Sequence, residues 1–197
     1  VLADLGALVA TALAAVLLLP QIRKLARNAH ADGVSGTWPA IGLVTNAAWT
    51  AYLVQAGRIL AAPSTAMMVV SYGVVLALLS RLGRSLRLPL VQAGAWGAVL
   101  VLIGLRYGWL TLGLALGLSY SMQVAPALWT AYRTHAPRGV SPFTWTIVGI
   151  EGVLWGYYGW DKGDRPLVVF GAIAAITAAA MVLRYLSTRS RWVEAIA

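Results

Sequence analysis

The chain has 197 residues, of which 60% are hydrophobic and only 11% charged, and its mean hydropathy is +0.76. A soluble domain carries about 25% charged residues, so this one lacks the polar surface to cover itself in water. It has no cysteine, which excludes disulfides, thiolate catalysis and cysteine metal sites, and its net charge of +9 sits in short basic runs between apolar segments, the pattern of membrane topology rather than of nucleic-acid binding.

Seven apolar segments follow one another. The first, 4–25, begins at Asp4, whose place near the segment's end implies a solvated carboxylate, and closes on Leu19-Pro20-Gln21 and a basic stretch. After His30-Ala31-Asp32-Gly33 the second, 36–55, carries Pro39, Thr45, Asn46, Trp49 and Tyr52. Gly57-Arg58 leads into the third, 59–82, with Pro63, Ser64 and Thr65 near its start. The fourth, 90–105, is the shortest and holds Gly94, Gly97 and Gly104. Beyond Arg106-Tyr107-Gly108 the fifth, 110–132, has a polar cluster of Ser119, Tyr120, Ser121 and Gln123 ahead of Pro126. Four polar residues this close cannot all face lipid cheaply, so part of the cluster is expected inside or bonded to carbonyls freed by the proline. The sixth, 141–158, carries Pro142, Glu151, Trp155 and Tyr158, and the seventh is 167–186. Runs of roughly twenty apolar residues match a helix crossing about 30 Å of hydrocarbon, and the absence of period-2 alternation argues against a barrel. The small-residue stretches 10–15 and 172–180 permit close helix packing.

With the N-terminus outside, Arg23, Lys24, Arg27, Arg81, Arg84, Arg87, Arg133, Arg138, Arg184, Arg189 and Arg191 fall on the cytoplasmic side. Arg58, Arg106, Lys162 and Arg165 fall outside. This positive-inside bias predicts an outside N-terminus, a cytoplasmic C-terminus and an odd number of spans. No separate signal peptide is expected, since the first apolar segment opens the architecture directly. The expected setting is the plasma membrane.

An internal repeat organises the chain. Pro20 pairs with Pro126, Arg27 with Arg133, Gly33-Val34-Ser35 with Gly139-Val140-Ser141, Trp49 with Trp155 and Tyr52 with Tyr158, all at one offset of 106 residues. A three-helix unit repeats in the same orientation only if one further helix recrosses the membrane. The expected organisation is therefore a first repeat over 1–87, a linker helix over 88–107 and a second repeat over 108–197. The fold class is all-α integral membrane, seven transmembrane helices arranged three, one and three.

This arrangement, with Leu19-Pro20-Gln21 in the first repeat, resembles the SWEET family of sugar transporters within the wider PQ-loop superfamily, over nearly the whole chain. The resemblance places Gln21 in the PQ motif. The second repeat reads Pro126-Ala127, with Gln123 the nearby glutamine. It implies hinges at Pro20, Pro39, Pro126 and Pro142, and a central pocket lined by Trp49 and Trp155. A flat aromatic face suits the C–H face of a sugar ring. Trp109, Trp160 and Trp192 lie at segment ends, as belt residues do. The family's asparagines on the third and seventh helices are absent: their places fall near Pro63-Ser64-Thr65 and Phe170-Gly171-Ala172.

Asn46, Ser64 and Thr65 are thus candidate polar contacts for a solute. Glu151, an ionisable residue inside a span and one turn before Trp155, is a functional candidate in its own right, with Thr45 its repeat partner. It fits either proton coupling or a protonated acid bonded to a neighbouring helix. The expected function is facilitative transport of a mono- or disaccharide. The alternatives are a proton-coupled carrier of another small polar solute, such as an amino acid, and a receptor of the same fold. A retinal protein needs a lysine within a span, and Lys24 and Lys162 lie at segment ends. Catalysis is not expected, as His30 and His135 fall in loops and no metal-ligand cluster or nucleophile–base pair stands out. No cofactor or metal is expected. The partners are a small polar solute and the lipid bilayer, with no nucleic acid, and a homo-oligomer is compatible with the resemblance.

Overall fold

The computed structural model describes residues 1–27, 35–133 and 141–194, with only the backbone of Pro20, Gln21, Lys24 and 189–194. Regular structure among the described residues is entirely α-helical. In chain order it comprises α1 (Leu2–Leu17), α2 (Leu19–Arg27), α3 (Thr37–Gln55), α4 (Ala62–Arg81), α5 (Arg87–Arg133), α6 (Pro142–Asp161) and α7 (Arg165–Glu194).

The helices lie on the seven apolar segments with one difference. The first segment is two helices, broken at Leu18, because Pro20 has no N–H to offer the carbonyl of Val16. The bond from the Ile22 N–H to the Leu18 carbonyl, 3.0 Å, carries the chain across the break. The fourth and fifth segments are two helices within α5 that meet at Gly108, whose φ of 85° and ψ of 174° are not helical. That conformation is open to glycine and costly to a residue with a Cβ.

Among the described residues three helices are long and apolar enough to cross a membrane: Ala62–Arg81, Arg87–Arg133 and Arg165–Thr188, with α1 apolar but shorter. The helices outside this group include α3 and α6, which carry Asn46 and Glu151 together with several tryptophans and tyrosines. Much of the surface is apolar, with Leu105, Met122, Phe143 and Trp160 all exposed. Such a surface suits lipid rather than water.

Two compact units divide the chain, one over Ala7–Leu116 and the other joining Val1–Gly6 to Gly117–Ala197. In the first, α3 packs on α4 and α2 on α4. Tyr72 sits directly over Gly42, where a Cβ would come within 2.6 Å of the ring, and meets the edge of Trp38 at 5.2 Å. Leu25, Val75 and Leu79 form the α2–α4 core. The early part of α5 lies against α3, with Ala93 buried beside Ala40 and Trp96 donating its indole N–H to the Thr45 hydroxyl at 3.0 Å.

In the other unit α6 and α7 are in backbone contact. A Cβ on Gly171 would lie 2.5 Å from the Gly152 carbonyl and from the Gly156 nitrogen, and one on Gly152 would lie 2.7 Å from the Ala175 nitrogen. Small residues at such a contact let helices approach closely. Asp164 caps α7 by accepting the Leu167 N–H at 3.2 Å. At the other end Arg184 donates through Nε to the Ala131 carbonyl at 3.1 Å, satisfying a terminal group of α5.

The repeat reappears in the turn chemistry. Gly57 and Gly163 stand at the offset of the other pairs and take φ of 69° and 64°. Each closes its helix with the same two bonds: Arg58 N–H to Leu53 and Gly57 N–H to Val54, and Asp164 N–H to Gly159 and Gly163 N–H to Trp160. This is the Schellman pattern, which calls for a left-handed residue and hence glycine.

Candidate functional site

Residues at i, i+4 and i+7 share one face of a helix. On α3 that spacing aligns Thr45, Trp49 and Tyr52, all buried. On α6 it aligns Glu151, Trp155 and Tyr158, of which both aromatics are buried. The aromatic geometry is shared as well. Trp49 and Tyr52 meet edge to face at 5.7 Å, and Trp155 and Tyr158 at 6.2 Å, with interplanar angles of 75° and 82°. Each repeat therefore presents one buried aromatic stripe. The stripes differ at their first position, threonine in one and glutamate in the other.

The polar candidates of the first repeat are largely engaged within their own unit. Asn46 donates through Nδ2 to the Gly42 carbonyl at 2.8 Å. Ser64 is buried and donates to the Ala61 carbonyl at 2.7 Å, at the start of α4. Thr65 bonds the Ala62 carbonyl at 3.0 Å and shares a 2.8 Å hydrogen bond with Thr50, whose hydroxyl also bonds the Asn46 carbonyl. These side chains stabilise α3 against α4. Thr45 accepts from Trp96, an interaction between residues 51 apart that no local pattern in the sequence announces.

Glu151 is different. Its Oε1 is buried and has no hydrogen-bond partner among the described residues. An open apolar groove of 460 Å³ between α6 and α7 is lined by Trp145, Gly149, Val153 and Ala178, on another face of α6 from Glu151. Among the described residues no cluster of three or more metal-ligating side chains occurs.

The remaining candidates are spread along the chain. Pro39 and Pro142 stand in the first turns of α3 and α6, where the missing N–H takes no bond from the helix. Pro20 is the second residue of α2, and of the four prolines Pro126 alone stands in a helix interior. Gln21 lies in α2, described by its backbone, and Gln123 is exposed on α5. In the polar cluster Ser119 is buried, Tyr120 meets Phe170 at 5.0 Å and Ser121 bonds the Leu118 carbonyl. Trp109 and Trp160 are exposed. Gly33, Val34, Gly139, Val140, His30 and His135 lie outside the described residues, as does the side chain of Trp192.

The sequence reading passed over one ionic cluster. Lys162 Nζ lies 2.9 Å from Asp4 and 3.0 Å from Asp161, and 5.7 Å from the Tyr158 ring centre. Hydrogen bonding to Asp4, and then to Asp161, raises the Lys162 ammonium to about 12. A lysine eleven residues beyond Glu151 continues the α6 stripe, and that spacing was the available signal. No protein-family model matches the chain, and no curated relative does so either.

Proposed function

We propose that this chain is a membrane carrier for a small polar solute, built as two parallel three-helix repeats joined by a linker helix and working by alternating access. The observation that carries this reading is the pair of matched buried stripes, Thr45-Trp49-Tyr52 and Glu151-Trp155-Tyr158, with the same edge-to-face aromatic geometry in each repeat. The two stripes stand 106 residues apart, at the offset of the other repeat pairs. The resemblance to SWEET transporters makes a mono- or disaccharide the first solute to test, with Trp49 and Trp155 as its stacking faces. The interior proline Pro126 and the helix break at Leu18 are the natural flexible points.

A second reading, a proton-coupled carrier, is favoured by the buried and unpartnered Oε1 of Glu151. In both readings the chain catalyses no covalent step, and it lies in the plasma membrane with its N-terminus outside.

Uptake of radiolabelled glucose and sucrose into proteoliposomes, with and without a pH gradient, separates the readings. Saturable uptake independent of the gradient supports the sugar facilitator, and gradient-dependent uptake supports coupling. Trp155→Ala should then cut uptake by about twofold to tenfold while the protein remains folded, since a lost aromatic stack is worth ~0.5–1.5 kcal/mol beyond its buried area. Unchanged uptake would remove Trp155 from the solute's path.

A further inference from the structure

A buried polar atom without a partner is costly, and an ionisable one inside an apolar helix is a candidate for meeting a ligand or a proton. Glu151 Oε1 is such an atom. No cationic side chain among the described residues pairs with its carboxylate. The described cations of this unit have other surroundings. Lys162, roughly 16 Å farther along α6, is held by Asp4 and Asp161, and Arg165 opens α7. Arg184 is bonded to the Ala131 carbonyl, and Arg133 lies over the Trp129 ring at 4.2 Å.

The carboxyl of Glu151 offers an acceptor through its buried Oε1. Beside it on the same helix face are Trp155 and Tyr158, whose ring faces attract cations.

We propose that Glu151 is the specificity-determining binding residue and that the solute carries a protonated amine, which donates to its carboxylate and lies against the Trp155–Tyr158 stripe. A carboxyl acceptor beside two aromatic rings selects a cationic donor over a neutral molecule of the same shape. The passage of that amine across the membrane rests on the carrier reading. Its binding to Glu151 does not.

Binding to the full chain in nanodiscs, followed by tryptophan fluorescence, tests the assignment with three amines and their neutral counterparts: methylamine and methanol, 1,4-diaminobutane and 1,4-butanediol, glucosamine and glucose. At least one amine should bind about tenfold or more tighter than its counterpart, the scale of a charged hydrogen bond. Glu151→Gln, of the same shape, should erase that preference, and Glu151→Asp should keep part of it. The proposal is overturned if no amine is preferred, or if the preference survives Glu151→Gln. Proteoliposome uptake then separates it from the carrier reading. Amine preference that depends on Glu151, without uptake of amine or sugar, upholds the binding site and ends the carrier. Glucose uptake without amine preference does the reverse.

Discussion

Thr45 and Glu151 occupy the same place in the two repeats, yet their surroundings differ. The threonine hydroxyl accepts the Trp96 indole N–H, while a glutamate oxygen is left buried and unpartnered. Trp96→Phe removes that donor and should lower stability by about 1 kcal/mol, the worth of a typical net hydrogen bond, measured by thermal unfolding in detergent. Close packing sets a second expectation. Gly171→Ala puts a Cβ 2.5 Å from α6 backbone atoms, which cannot move aside as a side-chain tip can, and should cost about 1–3 kcal/mol. Gly94→Ala, with open space around it in a helix, should instead gain about 0.5–1 kcal/mol. A Gly171→Ala protein as stable as the parent would mean that the two backbones are not in contact. At Lys162 the sign follows from the raised ammonium. Its folded value, about 12, exceeds the unfolded 10.5, so its contribution is full below 10.5 and lost as pH rises through about 12. Lys162→Met should therefore lower the unfolding temperature equally at pH 7 and pH 9. A gap that closed between those two values would show that the Asp4 and Asp161 pairs do not hold the charge.

Among the elements, the helices follow the apolar segments because length and hydropathy are local properties, readable without partners. The bounds of α3, Thr37–Gln55, differ from the segment 36–55 by one residue. Glycine and proline signals were also legible. The reversal at Gly57 and the discontinuity at Gly108 are places where only a residue without a Cβ is at ease. Gly108→Ala should destabilise the protein by about 1 kcal/mol or more, because φ of 85° is strained for alanine, and the same unfolding measurement decides it. The roles expected of side chains were less legible. Ser64 and Thr65 stand where the resemblance looks for solute contacts, but at the start of α4 their hydroxyls bond carbonyls of the preceding turn. A serine or threonine looks the same in a sequence whether it serves a ligand or a helix end.

For the molecule as a whole, the absence of cysteine makes topology directly testable. Single cysteines in place of Arg58 and Arg106 should react with a membrane-impermeant maleimide from outside intact cells, and those in place of Arg84 and Arg87 only after permeabilisation. Labelling of Arg58 and Arg84 positions from one side would contradict the positive-inside reading. By itself the sequence determined the helical class, the apolar segments, the duplication at one offset and the Trp–Tyr stripes, because each depends on the order of residue types along the chain. Only the tertiary structure decided which polar groups remain available. Trp96 reaches Thr45 across 51 residues, Thr50 meets Thr65 between helices, and Gly171 brings α7 onto α6. Whether a buried donor or acceptor is satisfied depends on neighbours distant in the chain, and that is set by packing in three dimensions rather than by any local pattern.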